Sequence, residues 1–246
     1  MNKQLKWLVT LLLLIILATP AKSQVIMSIL FGDKLNSKEL SFGLHANYSW
    51  NTLSATDDQK ALKSFNFGLF FTYHFNEHWH ANLEMLAKYK RGASGLSAYD
   101  LQNDSLNNLF KTGSVERQIS YVSLPMTIQY MFHPGIYVEL GPQFSLRTKA
   151  KDIFSAARSE GELKLERDVE DNINRWDFGW IGGVGYRLGK AKLVAVGLRY
   201  YGGFSDVVKN ESAKQMNQQW GIYTNIPIGV KKAEARRKAK AATLPQ

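Results

Sequence analysis

No cysteine occurs in the 246 residues. That absence removes a disulfide framework, a thiol nucleophile, a CxxC redox pair, a zinc site built on thiolates, and lipid attachment through an N-terminal cysteine. Long apolar runs are also missing. After Ser23 no run of about 18 apolar residues occurs, which excludes a helical membrane protein. A transmembrane barrel stays open, because its strands need only about 9 to 11 residues, apolar at every second position. No G-x-S-x-G elbow is present. Gly182-Gly183-Val184-Gly185 sits mid-strand with no helix after it, so it is not a phosphate loop. What the chain does have is 13 Phe, 11 Tyr and 6 Trp beside a formal charge of +10.

That charge is unevenly spread. Lys3 and Lys6 precede an apolar run from Trp7 to Leu17, and Ala21-Lys22-Ser23 offers small residues where a signal peptidase reads. Residues 1–23 are therefore expected to be a secretory leader, with Gln24 as the mature N-terminus. Three of the ten positive charges lie there. Residues 231–240 hold six positive charges and one negative, so residues 24–230 retain a net charge of only two. An exported chain rarely meets nucleic acid, so no nucleic-acid partner is expected despite the basic pI.

The mature chain reads with period 2. Ile136, Val138, Leu140, Phe144 and Leu146 share one face, and Glu139, Gln143, Ser145 and Arg147 share the other. Similar alternation covers 40–50, 65–75, 79–89, 118–131, 175–188, 192–201 and 218–230, which makes eight strands. Asn76-Glu77-His78, His133-Pro134-Gly135 and Gly189-Lys190 read as tight turns. Residues 51–64, 90–117, 149–174 and 202–217 read as long polar loops. Short turns on one rim and long loops on the other define an eight-stranded antiparallel up-and-down transmembrane β-barrel with short periplasmic turns and long extracellular loops. The expected organisation is a leader (1–23), a periplasmic N-terminal segment (24–39), the barrel (40–230) and a basic periplasmic tail (231–246), integral to a Gram-negative outer membrane.

A soluble lipid-binding barrel also has eight strands, so sidedness decides between the two. The second face carries Glu84, Lys88, Glu139, Arg147, Arg175, Asp177, Arg187 and Arg199, a poor lining for a lipid pocket. The apolar face must then point outward. Trp50, Tyr89, Trp176, Tyr200 and Trp220 fall near the long-loop rim, and Tyr73, Phe75, Trp79, Tyr130 and Tyr186 near the short-turn rim. These are expected to form two aromatic girdles in contact with outer-membrane lipid.

An eight-stranded lumen is just wide enough for side chains to fill. Glu84, Glu139, Arg147, Asp177, Arg187 and Arg199 form its expected polar cluster, with Asp177 set between Arg147 and Arg199. His74 and His80 flank the first tight turn and, with His45, could hold a metal ion, although hydrogen-bonded polar residues fill any such lumen. No cofactor is expected. Lys231, Lys232, Arg236, Arg237, Lys238 and Lys240 could dock the tail on an acidic periplasmic protein or on anionic headgroups, and a solvated tail fits the same composition equally well.

Several stretches resemble the PorT-type outer-membrane β-barrel family of the Bacteroidetes lineage. They are Phe31-Gly32-Asp33-Lys34-Leu35-Asn36, Tyr121-Val122-Ser123-Leu124-Pro125-Met126, Tyr137-Val138-Glu139-Leu140-Gly141-Pro142, Asp177-Phe178-Gly179 with Gly182-Gly183-Val184-Gly185-Tyr186, and Gly197-Leu198-Arg199-Tyr200. The resemblance spans nearly all of the mature chain. It implies an integral outer-membrane barrel without known enzymatic activity, whose namesake takes part in type IX protein secretion. A non-enzymatic structural or assembly component is therefore expected. The rivals are a lipid-modifying enzyme on an eight-stranded barrel and a narrow solute pore.

Overall fold

The computed structural model describes residues 35–37, 39–56, 59–133, 135–158, 161–188, 194–209, 213–230 and 235. The leader and the tail cations Lys231, Lys232, Arg236, Arg237, Lys238 and Lys240 lie outside the described residues, as do Pro134, Gly189 and Lys190 of the expected turns.

Nine strands follow one another: β1 (Leu40–Leu53), β2 (Leu62–His74), β3 (Trp79–Ser97), β4 (Ser114–His133), β5 (Ile136–Arg158), β6 (Gly161–Asp168), β7 (Trp176–Leu188), β8 (Val194–Gly203) and β9 (Asn217–Pro227). A helix, α1 (Asp104–Phe110), lies between β3 and β4. Every neighbouring pair is antiparallel, and β1 pairs with both β2 and β9, so the sheet closes on itself. The ring runs β1-β2-β3-β4-β5-β7-β8-β9 and contains eight strands. The ninth, β6, stands outside it. β5 pairs its first half, Ile136–Leu146, with β7, and its second half, Lys151–Arg158, with β6.

The apolar face points outward, with Phe65, Ile128, Leu140, Val184, Leu198 and Ile222 exposed. The alternate residues Asn47, Asn66, Asn82, Glu84, Thr127, Gln129, Glu139 and Arg199 are buried inside. Among the described residues no helix is long and apolar enough to cross a membrane; the strands do the crossing. Tyrosine rings fill the spaces that glycines leave on the inner wall. A Cβ on Gly185 would lie 2.3 Å from the Tyr137 ring, and one on Gly197 would lie 2.6 Å from the Tyr223 ring.

Two of the expected loops, 90–117 and 149–174, contain long stretches of strand. β3, β4 and β5 have 19, 20 and 23 residues, about twice what a membrane crossing needs. Their outer halves therefore project beyond the belt as a four-stranded sheet with β6. Sidedness explains why an apolar pattern did not reveal them. In the projecting part the inner face is apolar, with Ala93, Val115, Ile119, Ala150, Phe154 and Ala156 buried, while Lys90, Lys149 and Lys164 face water. The change from one sidedness to the other occurs at two irregularities. β3 slips register between Leu86 and Tyr89, with Lys88 at φ +55°, and β5 carries an extra residue, Thr148, opposite Ser120 and Tyr121. Each bulge moves the following side chains to the opposite face.

Helix α1 starts where Asn103 caps it, accepting a 3.1 Å bond from the Leu106 amide. Its Phe110 packs on Phe154, Val115 and Ala156, with Leu96, Leu101 and Leu165 around them. Phe154 is the centre of this small outer core, 5.0 Å from the Tyr99 ring and 5.8 Å from that of Phe110. Phe154→Ala should cost the projecting sheet about 3–5 kcal/mol. Limited trypsin digestion is expected to cut after Lys111 much faster in this variant, while the heat-modifiable gel mobility of the barrel stays the same.

Candidate functional site

The lumen concentrates the ionisable side chains of the barrel. Arg199 on β8 donates to Glu84 on β3 from Nη1 at 2.7 Å and from Nη2 at 2.8 Å. It also donates to Glu139 on β5, from Nε at 2.8 Å and from Nη2 at 3.1 Å. Register sets up the second pair, because Glu139 and Arg199 both lie opposite Gly183. Gly183 and Gly221, which flank Arg199, keep the wall free of side chains there. Its guanidinium carbon lies 4.2 Å from the Tyr223 ring centroid. The carboxylates have further donors: Asn82 to Glu84 at 2.9 Å, and Thr127 and Gln129 to Glu139 at 3.3 and 3.2 Å. All three charged groups are buried, so each depends on the others for the solvation it gave up.

Nearer the short turns, Arg187 bonds Gln129 Oε1 at 2.9 Å and His80 Nδ1 at 3.0 Å. Nearer the loops, Tyr89 donates to Gln219 at 2.6 Å, and Gln219 donates to Asn51 at 2.6 Å.

The highest charged layer differs from expectation. Asp177 does not sit between Arg147 and Arg199. Its partner is Arg91 of β3, which also donates to Ser145 at 3.2 Å, while Asn217 donates to Asp177 at 3.0 Å. Arg147 reaches Glu170 instead, at 3.0 Å, and Arg199 is taken up by the two glutamates. Arg91 is wholly buried, with the rings of Tyr201, Tyr121 and Tyr89 at 4.0, 5.2 and 5.3 Å. Reading 90–117 as a loop hid Arg91. The available signal was a phase change: Tyr89, Arg91 and Ala93 alternate together, one step out of register with Asn82, Glu84 and Leu86.

The same bulge corrects the girdle. Tyr89 is 3% exposed and points inward, while Lys88 is exposed. Trp79, Trp176, Tyr186 and Trp220 are exposed on the outer surface, and Trp50, Tyr130 and Tyr200 are half-buried there. Trp220 packs on Tyr200 at 4.9 Å and Trp79 on Tyr130 at 4.7 Å.

The three histidines do not converge. His74 and His80 touch edge to face at 4.3 Å, but His74 bonds Ser41 at 2.9 Å and His80 bonds Arg187. His45 lies deeper, bonded to Asn225 at 2.7 Å. Among the described residues no three His, Cys, Asp or Glu side chains form a metal-binding group, and a guanidinium on His80 would repel a cation.

Above the Arg91 layer the lumen is stopped by apolar packing. Leu53, Ala93, Ile119, Tyr121 and Ala150 of the wall meet Val169, Ile173, Val207 and Val208 from the connections after β6 and β8. These two connections are tied by an antiparallel bridge between Ile173 and Val208. On the projecting sheet, Arg117 holds Asp152 through two bonds of 2.9 and 2.7 Å, and Tyr99 donates to the same carboxylate at 2.9 Å. Burial, followed by the Asp152 charge, pushes the Tyr99 phenol up to about 12, so it remains a donor through the neutral range.

A closed antiparallel ring with an apolar outside and an ion-paired inside is a transmembrane β-barrel. Residues 28–209 match the family described as outer membrane protein beta-barrel domain, and the chain belongs to that family. It is an integral outer-membrane protein. Similar solved structures include Ail, the attachment invasion locus protein of Yersinia pestis, at 14% identity and TM-score 0.41 over 77% of this chain and 99% of that one. Neisserial surface protein A is similar at 10% identity and TM-score 0.37, over 76% and 96%. OprG from Pseudomonas aeruginosa is similar at 12% identity and TM-score 0.33, over 76% and 91%. No curated protein matches the sequence.

Arg199→Met should destabilise the barrel by about 3–5 kcal/mol, because it leaves Glu84 and Glu139 buried without their cation. The triple variant E84Q/E139Q/R199M should recover most of that loss. Urea unfolding in lipid vesicles, followed by heat-modifiable mobility, checks both; an unchanged midpoint for R199M would contradict the pairing.

Proposed function

We propose that the chain is a non-enzymatic structural or assembly component of the outer membrane, of PorT type, that works with a protein secretion apparatus. The observation that carries this reading is the way the lumen is used. Arg199 and Arg91 are taken up by lumen carboxylates, Arg187 by Gln129 and His80, and the outer end is packed with apolar side chains, so the barrel serves as a support and not as a passage. What it presents outward is the projecting sheet with helix α1, a stiff platform on which loops and partners can be organised. The resemblance of Tyr137-Val138-Glu139-Leu140-Gly141-Pro142 and the neighbouring stretches to PorT-type barrels adds the secretion role. The basic tail would supply the periplasmic contact, with outer-membrane lipid around the belt and no nucleic acid among the partners.

An in-frame deletion tests this reading. Exported cargo should fall in the culture medium, while the lipid A mass spectrum and small-solute uptake stay as in the parent. Altered lipid A would point to an enzyme, altered uptake to a pore, and either result would overturn the proposal.

A further inference from the structure

Four lysines lie along neighbouring register positions of β2, β3 and β5 on the outer wall, towards the long-loop rim. Lys63 of β2, Lys88 and Lys90 of β3, and Lys149 of β5 are all exposed. Lys63 lies directly opposite Trp50, and Trp50 lies opposite Trp220, so this row coincides with the aromatic edge of the membrane. Lys90 and Lys149 share a register partner, Ser120. Their backbones are therefore two strand spacings apart, about 10 Å, within reach of a single group by long flexible side chains. Lys90 is also fixed against β2: its amide donates to Asn66 Oδ1 at 3.0 Å and its carbonyl accepts from Ser64 at 3.2 Å. That places it beside the residue following Lys63. The Thr148 hydroxyl donates to the Ser120 carbonyl at 3.1 Å and closes the row at β5.

Pairing separates these lysines from four other cations of β4, β5 and β6. Arg117, Arg147, Lys151 and Lys164 each hold a carboxylate at 2.7–3.0 Å. Lys63, Lys88, Lys90 and Lys149 have no carboxylate partner among the described residues. Like charges gathered on one row repel, and an anion supplied from outside the chain offsets that repulsion. At this depth the anions are lipid headgroups.

We propose that Lys63, Lys88, Lys90 and Lys149 form a docking surface for the phosphate groups of a phosphorylated glycolipid in the outer leaflet. The lysines grip the phosphates while the aromatic face of Trp50 and the belt below meet the acyl chains. The site sits on the lipid-facing wall and is independent of the secretion role.

The test uses the full chain, purified in neutral detergent and offered equal amounts of bis-phosphorylated lipid A and its dephosphorylated form, with bound lipid counted by native mass spectrometry. The wild type should retain the phosphorylated form in at least about tenfold excess. The variant K63Q/K88Q/K90Q/K149Q should lose that preference, and the matching four-arginine variant should keep it. Inorganic phosphate should not displace the lipid. Equal retention of the two lipids by the wild type, an undiminished preference in the glutamine variant, or displacement by inorganic phosphate would each overturn the proposal. If the glutamine variant fails to fold, as read by heat-modifiable mobility, the wild-type comparison of the two lipids decides alone.

Discussion

The bond between Arg199 and the paired carboxylates of Glu84 and Glu139 is the constraint around which the barrel is arranged. It joins β8 to β3 across the lumen and to β5 two strands along the wall, so three separate parts of the ring share one charged centre. Such a centre tolerates neither subtraction nor dilution by water: removing one charge strands the others in a medium too poor in dipoles to solvate them. The glycines at 183 and 221 and the tyrosine at 223 follow from it. The first two clear space for the guanidinium, and the third lays a ring beneath it. Arg91 with Asp177 repeats the arrangement nearer the loops, with three tyrosine rings around the cation.

A second constraint acts along the strands. Within the membrane the outer surface must be apolar and the inner one polar; beyond it, water on the outside reverses the requirement. Strands that continue through both regions must change the face on which their apolar residues lie, and a bulge does this with one residue. β3 and β5 each carry one at the same level. The result is a continuous sheet that is a membrane barrel below and an ordinary water-exposed layer packed on α1 above.

This reversal also explains what could and could not be read from the chain. The eight crossings are legible, because in segments such as 136–146 the apolar residues Ile136, Val138, Leu140, Phe144 and Leu146 keep to one face. The lumen positions of Glu84, Glu139, Asp177, Arg187 and Arg199 follow from the same phase. The projecting parts of β3, β4 and β5 were not legible, since a test for an apolar outer face reports them as polar loops. The partner of Asp177 is hidden for a related reason: Arg91 lies past the bulge, where simple alternation places it on the wrong face, and the same one-residue slip turns Tyr89 from the girdle into the lumen. Which partner a lumen charge chooses across the barrel depends on shear and tilt, and neither is written in local alternation. His45, His74 and His80 illustrate this too, as sharing an inner face did not bring them to one point.

The charged centre, the tyrosines laid over glycines and the apolar plug of Leu53, Ile119, Tyr121, Ile173 and Val208 pack the lumen among the described residues, and the support role proposed for the barrel requires that it conduct nothing. Conductance in a planar bilayer measures that most directly. The protein as it exists, inserted from detergent with insertion verified by protease protection, should add no stepwise current above the bare membrane. Reproducible unitary steps from the same preparation would contradict it, and would mean that the lumen holds a continuous path for ions.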